Sequence, residues 1–198
     1  MKKLFICFAL LAMTVLSGCS SKLMTPVTSQ PVVPHGEEAS ITFFRPSMFG
    51  GGVQAPIAEE KNSGMVELVG ICSTDTKIRH VVEPGRHVFV VGGESASLLI
   101  AEAAPGMNYY VRVSPRFGWW KARFEMVPVS PEDLAKEKVR KEIKECVLVS
   151  PNESAAAWFI DNKTSMENKL KIAKDKIHSG KDLSRYVMPK IYGIDRLY

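Results

Sequence analysis

At 198 residues, with 45% hydrophobic and 24% charged residues, the chain suits one globular domain with appendages and a core of ordinary size, without metal or disulfide staples. Its formal charge of +5 falls to +3 if Lys2 and Lys3 leave with an acid-free N-terminal signal. So small an excess argues against nucleic acid as a partner, which calls for a clustered basic face.

Met1-Lys2-Lys3 is positive, Leu4 to Leu16 is almost wholly apolar, and Ser17 and Gly18 are small. That order is the order of an export signal. Leu16-Ser17-Gly18-Cys19 resembles a bacterial lipobox, in which cleavage before the cysteine leaves its thiol carrying a diacylglycerol. The resemblance implies a signal peptide over 1–18 and Cys19 as the lipidated first residue of a 180-residue mature chain attached to a membrane. The apolar run is too short to span a bilayer, which takes about 20 residues. Residues 19–39, with Pro26, Pro31 and Pro34 among Ser, Thr and Gln, read as a Pro-rich tether. As a flexible coil it would span roughly 25 Å. Lipoproteins kept at an inner membrane usually carry aspartate after the lipidated cysteine. Ser20 in that place implies the outer membrane, facing the periplasm, of a two-membrane bacterium.

Residues 40–129 read as a β domain. Runs rich in β-branched and aromatic residues cover Ser40–Arg45, Met65–Cys72, Thr76–Val82, Arg86–Val91, Ser97–Ala103, Met107–Val113 and Lys121–Val129. Pro84-Gly85 and Pro105-Gly106 mark turns. The gaps leave little room for the helical crossovers of a parallel sheet. The spacing therefore predicts a mainly β fold, an antiparallel β-sandwich of about seven strands. The pattern changes at Ser130, and 130–198 reads as a helical C-terminal extension. Ser130 is placed to cap a helix over Pro131–Glu145, with Pro131 at its start and Leu134, Val139 and Ile143 as its apolar stripe. Cys146–Val149 suits a short strand. A second helix is expected over Thr164–Ser179, with Met166, Leu170, Ala173 and Ile177 on one face. The aromatic tail after Asp182 calls for a surface to pack on.

No catalytic set stands out. Gly93-Glu94-Ser95-Ala96-Ser97 starts like a nucleophile elbow, but Ser97 replaces the last glycine and a strand follows where a helix is needed. His80 and His87 flank Pro84-Gly85 with Cys72 not far away, yet the spacing matches no zinc pattern, and exposed strand positions explain them. Gly50-Gly51-Gly52 lacks the Gly-Lys-Ser/Thr ending of a phosphate loop. Glu59-Glu60 reads as a loop pair, and Glu132-Asp133 as complement to a helix dipole. Neither a cofactor nor a metal is expected. Cys72 and Cys146 leave two readings open, one internal disulfide or two buried free thiols. Trp119 and Trp120, adjacent in Phe117-Gly118-Trp119-Trp120, face opposite sides of any strand. Two readings stay open: both are covered, one by the sandwich and one by the helices after Ser130, or one is exposed as a candidate binding surface.

The block from Ile41 to Val129 resembles small β-sandwich domains of uncharacterised bacterial lipoproteins. The matching positions are Phe44, Arg45, Pro46 and Ser47, then Pro84, Gly85 and His87, then Pro105, Gly106, Tyr109 and Tyr110. The turn-and-strand style is also similar to PEGA-type surface modules. The resemblance implies a fold and a location and carries no activity. The expectation is a non-enzymatic envelope lipoprotein, a binding or structural module with an envelope protein as partner. The alternatives are a subunit of a larger envelope complex docked through its C-terminal helices, or a hydrolase using Ser95 or a His80/His87 metal.

Overall fold

The computed structural model describes residues 22–27, 37–46, 52–62, 64–117, 122–178 and 186–195. Cys19, Trp119 and Trp120 lie outside them, as do residues 1–18. Among the described residues no helix is long and apolar enough to cross a membrane.

The fold is mainly β, with two mixed sheets and a long C-terminal helix. Among the described residues there are eleven strands: β1 (Met24–Pro26), β2 (Ala39–Arg45), β3 (Ala55–Glu60), β4 (Val66–Cys72), β5 (Thr76–Val82), β6 (Gly85–Val91), β7 (Ser97–Ala103), β8 (Asn108–Phe117), β9 (Ala122–Pro128), β10 (Val147–Pro151) and β11 (Val187–Met188). One sheet has the order β1-β10-β5-β2-β8-β9, the other β11-β7-β6-β3-β4.

Two features depart from the all-antiparallel, seven-strand expectation. Of the extra strands, β1 comes from the tether, β3 from a loop and β11 from the aromatic tail, while β10 is the short strand expected at Cys146–Val149 within the C-terminal extension. Three pairs are also parallel, namely β2 with β8, β5 with β10 and β7 with β11. The β2-to-β8 connection needs no helix, because the chain passes through the other sheet on the way. Both Pro-Gly turns belong to this traffic. Pro84-Gly85 carries the chain from β5 in one sheet to β6 in the other, and Pro105-Gly106 carries it from β7 back to β8. They are corners between sheets rather than hairpins within one. Gly106, at φ 71°, takes the left-handed conformation this tight corner needs.

Strand alternation divides the apolar residues into three clusters. Ile41, Phe43, Ile57, Ile71, Ile78, Phe89, Leu99, Tyr109 and Val111 fill the space between the sheets. Phe44 and Tyr110, pointing the other way, are covered by α1 (Pro131–Ala135) and α2 (Glu137–Glu145) through Leu134, Val139 and Ile143. The outer face of the second sheet, with Ala58, Val90, Leu98 and Ile100, is covered by Phe159, Met166, Leu170 and Ala173 of α3 (Glu153–His178). The expected first helix is broken at Lys136, and the second begins eleven residues earlier than its apolar spacing suggested. Ser130 caps as expected, its Oγ accepting from the Asp133 amide at 3.1 Å.

The tail packs against the start of β8. Asn108 accepts from Ser40 Oγ at 2.6 Å and donates through Nδ2 to the Asp195 carbonyl at 2.8 Å. Tyr109 Oη accepts from the Ala104 amide at 2.8 Å and donates to the Lys190 carbonyl at 3.1 Å. Asn108→Ala leaves the Ser40 hydroxyl and the Asp195 carbonyl without these bonds, at a cost of about 1–3 kcal/mol. Urea denaturation is expected to show that loss, and limited proteolysis to cut residues 186–195 before the sheets.

Candidate functional site

The charged groups sealed between the sheets form the candidate site. β3 alternates so that Ile57 and Glu59 point inward and Ala58 outward. The Glu59 side chain is 2% exposed. It meets donors from three directions. His87, on the neighbouring strand β6, places Nδ1 2.7 Å from Glu59 Oε1. His80, on β5 of the opposite sheet, places Nε2 2.8 Å from Oε2. Lys61, just past the end of β3, donates Nζ to the same oxygen at 2.6 Å. Phe89 lies against both imidazoles, edge-on to His80 at 5.9 Å and stacked with His87 at 6.3 Å.

The hydrogen-bond chemistry fixes the charge state of His87. Its Nε2 lies 2.7 Å from the Glu83 carbonyl, which can only accept, and its Nδ1 faces an ionised carboxylate, which also only accepts. Both nitrogens therefore carry hydrogen, and the ring is an imidazolium. In agreement, the hydrogen bond to Glu59 holds the His87 pKa above its ordinary value against the opposing effect of burial. Burial alone would raise the Glu59 pKa, but the bonds from His80, His87 and Lys61 outweigh it and hold the carboxyl far below the usual range.

Arg45 occupies the other end of the same inter-sheet space. Ile41, whose register partner is His80, lies four residues before Arg45 on β2, about 13 Å away. Arg45 is 1% exposed and donates Nη1 to the Val53 carbonyl at 2.6 Å and the Cys72 carbonyl at 3.4 Å. Its guanidinium sits 4.9 Å from the centre of the Phe124 ring. Burial lowers its pKa.

The expected exposed positions of His80 and His87 are corrected by this arrangement: both histidines turn inward at a corner between sheets, and the carboxylate they share fixes them there. Glu59 is likewise on a strand rather than in a loop. Both of its oxygens are occupied by hydrogen-bond donors, so it is neither a free base nor an open ligand. Among the described residues no group of three His, Cys, Asp or Glu side chains is placed to hold a metal. Ser95 forms an isolated bridge with Arg123 between β6 and β7, with no helix following it. Cys72 and Cys146 are free buried thiols in different apolar clusters, one between the sheets and one beneath α2. A groove of about 300 Å³ runs beside β9, lined by Met126, Val127, Pro128, Val187, Tyr192 and the Arg116–Glu125 ion pair. Sequence reasoning missed it, because it forms only when the tail strand β11 reaches the second sheet.

No protein-family model matches the chain, and no curated protein matches it.

The cluster makes stability depend on pH in two directions. The raised His87 pKa contributes stability that is complete below its unfolded value of about 6.5 and is lost as pH rises through the folded value. The lowered Glu59 pKa contributes stability present above about 4.3 and lost as pH falls through the folded value. Glu59→Gln keeps the shape and removes the charge, leaving His87 uncompensated. A loss of about 3–5 kcal/mol is expected near pH 6, with both pH limbs flattened, in urea titrations from pH 4 to 9. The thiols supply a separate test. Burial pushes Cys72 up to about 12 and Cys146 up to about 11. Neither is expected to react with a thiol reagent at pH 8 in the folded protein, and both are expected to react in urea. Rapid labelling without denaturant would contradict their placement.

Proposed function

We propose that the protein is a membrane-anchored envelope lipoprotein acting as a non-catalytic binding or structural module. The observation that carries this is Leu16-Ser17-Gly18-Cys19 closing the apolar run. In this reading the chain is attached through lipid on Cys19, at the outer membrane on the periplasmic side, as Ser20 suggests. Its globular part is the β-sandwich type of the uncharacterised lipoproteins that Phe44-Arg45-Pro46-Ser47 and the two Pro-Gly corners resemble. The hydrogen-bonded saturation of Glu59 favours a structural role for the histidines over catalysis.

A second reading, docking into a larger envelope complex through the C-terminal helices, is favoured by one observation. α3 leaves Ile160 and Ile172 at 76% and 51% exposure on its outer side. The apolar stripes of those helices, Leu134-Val139-Ile143 and Met166-Leu170-Ala173, lie against the sheets.

Intact mass and membrane fractionation of wild type and Cys19→Ala test the anchor. Wild type is expected to carry a diacylglycerol mass on a chain starting at Cys19 and to sediment with membranes. The variant is expected to stay unprocessed or be released. An unlipidated wild type would overturn the proposal and reopen the hydrolase reading, for which saturable turnover lost in Ser95→Ala is the signature.

A further inference from the structure

We propose that the seam formed by β1, β10 and the first two turns of α3 lies on the lipid bilayer, and that the groove beside β9 faces away from it. This rests on the lipid anchor proposed above and specifies how that anchor presents the domain.

The leash between anchor and fold is short. Cys19 stands three residues before Lys22, a reach of at most about 11 Å even when fully extended. From Lys22 the chain is held. The Lys22 carbonyl accepts from Asn152 Nδ2 at 3.0 Å, and the Leu23 carbonyl accepts from the Asn152 amide at 3.2 Å. Met24–Pro26 then pairs antiparallel with Val149–Pro151. Met24 is buried, its sulfur accepting from the Ile71 amide at 3.3 Å, so β1 also ties the edge of the second sheet. Most of the Pro-rich segment therefore lies after this docking point, as the connection from β1 to β2, and does not separate lipid from domain.

Asn152 is also where α3 begins, its Oδ1 accepting from the Ala155 amide at 3.1 Å. The first two turns of that helix expose Ser154, Ala156, Ala157 and Ile160, with Glu153 and Asp161 as the exposed charges and no lysine or arginine. Beyond them the helix carries Lys163, Lys169, Lys171, Lys174 and Lys176. The surface nearest the anchor thus carries Ala156, Ala157 and Ile160 beside the acids Glu153 and Asp161, and the short leash rather than charge holds it at the headgroups. The strand order sets the opposite side. β1 and β9 are the two ends of one sheet, five strand spacings or about 24 Å apart. The groove at β9 and β11 consequently opens into the aqueous compartment.

The test uses the full lipidated chain in phosphatidylethanolamine–phosphatidylglycerol vesicles that contain a headgroup nitroxide lipid. A fluorophore is placed on one introduced cysteine, Ser154→Cys or Val127→Cys, with Ala157→Cys as a second seam position, since the native Cys72 and Cys146 are buried. Intact mass is recorded on each sample. Loss of fluorescence at 154 and 157 with retention at 127 is expected. Equal or reversed quenching on a chain bearing the lipid mass overturns the orientation and leaves the anchor standing. Absence of the lipid mass on Cys19 removes both.

Discussion

Glu59 is a carboxylate closed between two sheets, and the arrangement of strands around it follows from the need to keep it charged and bonded. An ionised carboxylate removed from water without partners is unaffordable by several kcal/mol. Here one partner comes from the adjacent strand, one from the opposite sheet and one from the end of its own strand. A one-residue slip of β3 would turn Glu59 out and Ala58 in, undoing the bonds to His80 and His87 at once. The register irregularity between Ile57 and Ala58 against β4 sits just before this point. The carboxylate therefore acts as a register pin for β3, β5 and β6 together, with Arg45 capping the other end of the apolar space between the sheets.

The two Pro-Gly corners make this geometry reachable. Because each carries the chain from one sheet to the other, residues flanking a corner face one another across the inter-sheet space. His80 and His87 meet one carboxylate from opposite walls for that reason. The same topology accounts for the parallel β2–β8 pair and leaves both outer faces apolar. The two C-terminal helical segments answer that need, α1 and α2 on one face and α3 on the other.

Much of the strand content was legible. Thr76–Val82 and Ser97–Ala103 fall where β-branched runs and flanking turns put them, and β2, β4 and β6 begin within a residue of their expected starts. β3 was not legible, since Ala-Pro-Ile-Ala-Glu-Glu has neither the alternation nor the composition of a buried strand. Its two acids read as a solvated pair because only the long-range register with Phe89 and the neighbourhood of His80 bury one of them. β10 falls where Cys146–Val149 suggested a short strand, whereas β1 and β11 escaped for a related reason. They are short segments that become strands by pairing with a sheet edge and carry little propensity of their own. Which sheet each strand joins, and hence which turns are corners, is a property of the assembled fold. The Trp119-Trp120 pair falls outside the described residues and keeps the standing of a sequence expectation.

The pairing of Met24 with Pro151 has a consequence for the order of folding. β1 completes its ladder only with residues more than 120 positions later. Closing so long a loop is entropically late, and the edge it joins does not exist until β5 and β10 have formed. Met24–Pro26 therefore finds its ladder partner only after the C-terminal half of the fold has formed. β1, first in sequence among the described strands, thus docks late, closing an edge that residues 147–151 have built.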